Sequence, residues 1–121
     1  MKKLSVLLLL IILSVQVQAE IKVFGMKAYP WNKFSKNDKI MYVQGIFDGL
    51  IFSRVTINET KISTDLSIEQ YIFAIDKFYL DYKNALIPVP FILRIITLEI
   101  NGYSENEIKN ATIEYRKQWS K

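Results

Sequence analysis

Three times along the chain, a serine is followed three residues later by a side chain that can reach back to its amide. Apolar positions at steps of three and four then begin. Ser35 with Asp38 opens the first such run, in which Ile40, Val43, Phe47, Leu50 and Ile51 fall on one stripe. This spacing predicts a capped amphipathic helix from about Lys36 to Arg54. Ser67 with Gln70 opens the second, where Ile68, Tyr71, Ile72, Ile75, Phe78 and Tyr79 follow successive helical steps. Ser104 with Glu107 opens the last, with Ile108, Ala111, Thr112, Tyr115 and Trp119 as its inner stripe and Lys117 and Lys121 toward its C-terminal end, where cations suit the helix dipole.

Between the second and last runs stand Pro88 and Pro90, which disfavour an uninterrupted helix because each lacks an amide hydrogen and restricts the residue before it. Asn84 is placed to turn the chain, while Ile87 and Val89 can pack from an extended backbone. A further helix is expected with Pro90 in its first turn, ending at Asn101 with Gly102 in the left-handed closing position. Its core, FILRIITLEI, is apolar nearly all round, so it is expected to be the most buried helix, with Arg94 and Glu99 as its charged members. Residues 21 to 31 carry no helical period: Ile21 and Val23 suggest a short extended arm, Gly25 breaks it, and Tyr29, Pro30 and Trp31 suggest an aromatic plug on the first helix. The stretch NETKISTDLS, residues 58 to 67, reads as a surface connection, and Lys77 with Asp81 as an ion pair on an outer face. The predicted fold class is all-α, a small bundle of about four helices with a short N-terminal extended arm.

Met1 to Ala19 break from this pattern. Two lysines, an apolar run of about 12 residues and small side chains at Val17 and Ala19 have the form of a secretory signal peptide cut after Ala19. The expected organisation is a signal peptide, 1–19, and one helical domain, 20–121, placed in the periplasm or secreted. The alternative of a membrane anchor needs a run nearer to 20 residues, so no stable membrane insertion is expected after cleavage. Loss of Lys2 and Lys3 lowers the net charge from +4 to about +2, too mild a balance to argue for nucleic acid. The chain has no Cys, so packing rather than crosslinks must hold it together.

The chain also has no His, and the two absences together remove imidazole-based bases and zinc sites along with thiol chemistry. No catalytic, cofactor-binding or metal-binding residues are assigned, and a domain that is not an enzyme is expected. Asp48 and Arg94 each interrupt an apolar helix. An unpaired buried charge costs several kcal/mol, so they are expected either to face one another as an internal pair or to line a groove that grips a partner. Gly45 and Gly49, four apart on one face, suggest a close helix crossing. Trp31, Tyr42 and Tyr82 are candidate aromatic contacts, although a large aromatic just outside a helix start, as Trp31 is, more often packs as a lid on the core. Two sequons, at Asn58 and Asn110, would matter only in a eukaryotic secretory pathway.

Trp31, the run Tyr42-Val43-Gln44-Gly45-Ile46-Phe47-Asp48-Gly49, then Tyr82, Asn84, Ile87-Pro88, Gly102 and Arg116 resemble a pattern of small, mostly uncharacterised exported bacterial proteins. More loosely, a leader and an all-helical domain with a Tyr-x-x-Gly helix resemble the Rap1a/Tai-like periplasmic immunity proteins, which bind and neutralise secreted cell-wall amidase effectors. The resemblance implies a protein partner rather than a substrate, met by exposed residues near the first predicted helix and the loop after it. The expected function is therefore protein binding, with inhibition as one mode. The alternatives are an accessory or chaperone-like envelope protein, or a small-molecule binder with a pocket between helices.

Overall fold

The computed structural model describes residues 25–52 and 62–120, with the side chains of Ile51 and Phe52 excepted. Among the described residues five α-helices follow one another: α1 (Ala28–Lys33), α2 (Lys36–Phe52), α3 (Ile68–Phe78), α4 (Val89–Ile100) and α5 (Glu105–Trp119), with a 3-10 turn at Tyr82–Asn84. There is no strand among the described residues, and the fold is all-α. The expected signal peptide, the arm at Ile21 and Val23, the end of the first helix beyond Phe52 and the sequon at Asn58 lie outside the described residues.

The helix starts follow from the serine pairs. Ser67 accepts from the Gln70 amide while the Gln70 side chain accepts from the Ser67 amide, and Ser104 and Glu107 do the same. Ser35 and Asp38 repeat this exchange at the head of α2, at 3.2 and 3.1 Å. Each exchange satisfies two amides that a helix start leaves without carbonyl partners. Ser104 also donates its hydroxyl to Glu107 at 2.7 Å, and these bonds to the carboxylate hold its pKa below the ordinary value. At the other end of α4, Gly102 takes φ +74°. Its amide donates to the Glu99 carbonyl and that of Tyr103 to Leu98, the paired closing bonds of a Schellman turn.

α2 packs on α3, α3 on α4, and α4 on α5. The core is built where these faces meet, from Val43, Tyr71, Ile75, Ile92, Leu93 and Ile96, with Trp31 of α1 completing it. Each fully buried aliphatic side chain of this set contributes about 1.5–3 kcal/mol of transfer free energy. α4 carries six buried residues, as its nearly all-round apolar sequence demands.

The proline segment organises the other end of the molecule. Pro88 caps α4, Pro90 falls in its first turn, and Ile87 and Val89 are fully buried. The N-terminal segment is laced to it: the Val89 amide donates to the Met26 carbonyl at 2.8 Å and the Ala28 amide to Ala85 at 3.1 Å. Tyr79 donates its hydroxyl to the Ile87 carbonyl at 2.6 Å, with the Met26 carbonyl at 3.3 Å, and burial raises its pKa well above that of a free phenol. Gly25 lies so close that a Cβ there would sit 2.9 Å from Pro88 Cβ and 3.0 Å from Pro90 Cδ.

Several expectations are corrected here. Residues 28–33 form a helix in which Trp31 is buried but Tyr29 is 73% exposed, so the plug is Trp31 alone. The end of the connection after α2 is not a surface loop: Ile62 and Ser63 are buried, the Ser63 amide donates to Thr97 Oγ1 at 2.7 Å, and Tyr71 donates its hydroxyl to the Ser63 carbonyl. Asp81 pairs with Arg116 across the fold rather than with Lys77 one turn back. A Cβ on Gly45 or Gly49 would meet nothing within 4 Å among the described residues, so these glycines form no close helix crossing there. They lie on the side of α2 away from Val43, and both are exposed.

Candidate functional site

Trp31 points inward from α1 and is fully buried, yet its indole N–H needs an acceptor. α3 provides one: Trp31 Nε1 donates to Asp76 Oδ1 at 2.8 Å. The same oxygen accepts from Lys39 Nζ of α2 at 2.7 Å, and that ammonium lies 5.0 Å over the Trp31 ring. One carboxylate oxygen thus fastens three helices at a single point, with the lysine both paired and stacked. Tyr42, one helical turn beyond Lys39, meets Trp31 edge-on at a ring separation of 6.2 Å and accepts the Met26 amide on its hydroxyl at 3.0 Å.

Beside this fastening lies an open recess of about 390 Å3, lined by Lys36, Lys39, Glu69, Ile72, Phe73 and Asp76. The lysines come from the α2 side and the acids from the α3 side. Phe73 is 72% exposed. A second open recess, of about 400 Å3, lies by Gly25, Met26, Lys27, Pro30 and Tyr42. Among the described residues no group of three or more His, Cys, Asp or Glu side chains is gathered as a metal site, and no helix is long and apolar enough to cross a membrane.

Of the residues singled out in the sequence, Trp31 and Tyr42 come together here, Trp31 as an internal strut with no face open to solvent. Tyr82 is elsewhere, 80% exposed in the turn after α3. Asp48 and Arg94 do not pair. Asp48 is exposed on the outer side of α2, whereas Arg94 is half-buried with its guanidinium 5.9 Å from the centre of the Tyr115 ring on α5. The ring face, rather than a carboxylate, accompanies this cation where α4 meets α5.

Sequence reasoning passed over Lys39, Phe73 and Asp76. A signal existed for Phe73, which lies on roughly the opposite side of α3 from Ile75 at 3.6 residues per turn and so has no place in the inner stripe. Nothing in the sequence ties Lys39 to Asp76.

Comparison of the chain with protein-family models, with curated proteins and with solved structures gives no match.

Proposed function

We propose that this chain is an exported, non-catalytic protein-binding domain, acting in the periplasm or outside the cell, that engages its partner through the recess between α2 and α3 and inhibits it by occlusion. One observation carries this reading: Phe73 stands in water on a helix whose other large apolar residues are buried or half-buried, in a recess with cations on one wall and anions on the other. Aromatic residues are enriched where protein surfaces meet, because one ring can bury a large area against a partner. The flanking charges of opposite sign would set the orientation of that partner and reject wrongly charged surfaces. The Trp31–Asp76–Lys39 fastening beside it supports the same reading, since a recess held rigid loses little freedom on binding. Inhibition as the mode comes from the resemblance to periplasmic immunity proteins.

The test is a parallel capture from the extracytoplasmic fraction of the source cells, using the purified chain and a Phe73→Ser variant of equal melting temperature. A protein retained by the first, released by the second, and losing its own activity when bound is the expected result. Equal capture by both chains, or no enrichment over the variant, would overturn the assignment to this recess.

A further inference from the structure

Beyond the recess, the turn between α3 and α4 has side chains that the fold leaves standing in water. Leu80 is 83% exposed, Tyr82 80% and Leu86 49%. The bond from the Ala28 amide to the Ala85 carbonyl brings the start of α1 against this turn, and Tyr29, next in sequence, is 73% exposed. We propose that this turn, with Tyr29 beside it, docks on the surface of an anionic phospholipid bilayer.

Shape and charge together select that occupant. Side chains about four-fifths exposed at the tip of a turn protrude, so they suit insertion into a deformable surface better than reception of a partner's own anchor. Tyrosine with leucine is the composition that settles at the headgroup boundary, with the phenol left at the polar level. The flanking charges are cationic. Lys83 lies within the turn and Lys77 in the last turn of α3. Lys33 holds its ammonium 4.2 Å over the Tyr29 ring and 2.5 Å from its hydroxyl. Asp81, the acid of the turn, is neutralised by Arg116 at 2.7 Å. Each lysine brought near an anionic membrane strengthens association about fivefold, and the attraction weakens with salt.

The test is sedimentation of the purified chain, its N-terminus established by intact mass, with vesicles of phosphatidylglycerol and phosphatidylcholine in equal parts and with pure phosphatidylcholine vesicles. Expected is binding to the first that falls at high salt and is at least about tenfold weaker on the second, following the lysine attraction. Leu80→Ser with Tyr82→Ser should weaken it by about tenfold or more by removing the inserted side chains. Lys33→Glu with Lys83→Glu should abolish it, leaving the apolar tip intact. All four positions lie outside the buried core, so circular dichroism and melting temperature should be unchanged, and the two variants fail independently if either perturbs the fold. Absence of binding overturns the proposal, as does binding that survives both variants, which belongs to another part of the chain. Lipid-independent self-association removed by the same substitutions also overturns it, because the face then meets a second copy. None of these outcomes touches the Phe73 recess.

Discussion

Trp31 and Asp76, 45 positions apart, are joined by a 2.8 Å hydrogen bond that makes a fully buried ring depend on a carboxylate at the margin of the core. Replacing the acceptor should therefore matter more than removing the lysine that shares it. Asp76→Ala strands the buried indole N–H and is expected to cost about 1–3 kcal/mol. Lys39→Met removes a partly exposed ion pair and should cost no more than about 1 kcal/mol. Urea denaturation of the two variants checks the order.

Asn84 plays a comparable part at the proline end. It is buried, donates Nδ2–H to the Phe78 carbonyl at 2.8 Å where α3 ends, and accepts Arg116 Nε on Oδ1 at 2.8 Å. Asn84→Ala should lose about 1–3 kcal/mol by leaving the carbonyl and the guanidinium short of partners. After that change, Arg116→Met should cost measurably less than it does in the unaltered chain, a coupling that a double-mutant cycle reads directly.

Tyr79 should contribute to a loss of stability at alkaline pH. Its folded-state pKa is raised by burial, whereas the unfolded phenol titrates near 10. Below pH 10 both states hold the proton and stability is flat. Above it the unfolded chain releases the proton first, so stability should fall by up to about 1.4 kcal/mol per pH unit from this group. Burial raises the Tyr71 pKa too and adds to the fall. Tyr79→Phe should be less stable at pH 8 for want of the bond to Ile87 but should decline less steeply between pH 10 and 11, as followed by denaturant midpoints.

The glycines separate by surroundings. Gly25→Ala would press a methyl into Pro88 and Pro90 and should destabilise by about 1–3 kcal/mol, the usual range for overpacking. Gly45→Ala and Gly49→Ala meet open space among the described residues and should each stabilise by about 0.5–1 kcal/mol. Melting temperatures of the three variants should fall, rise and rise.

What could be read from the chain was the local chemistry. The serine pairs at 35, 67 and 104, Pro90 and Gly102 acted where expected, because capping and left-handed turns are decided within a few residues. The apolar stripe of α3 likewise named the residues that became buried or half-buried. Relations between helices were not legible. Asp48 and Arg94 looked complementary in charge, but Asp48 sits away from the Val43 side of α2 and Arg94 was met by an aromatic face. Gly45 and Gly49 have the spacing of a crossing without a neighbour to cross among the described residues. The Trp31–Asp76–Lys39 fastening draws on three helices, and no periodicity within any one of them encodes it.

The lacing of Met26 to the proline turn bears on the order in which the molecule is assembled. Met26 and Tyr79 are 53 positions apart, and the carbonyl of Met26 accepts from Val89, which lies farther along still. A ribosome delivers Met26 well before either of these residues, so its carbonyl waits without the donors it meets in the fold. Closing so long a loop carries an entropy that local helices do not face. The first described residues to be synthesised thus gain these carbonyl-bound donors only once the proline turn has been made.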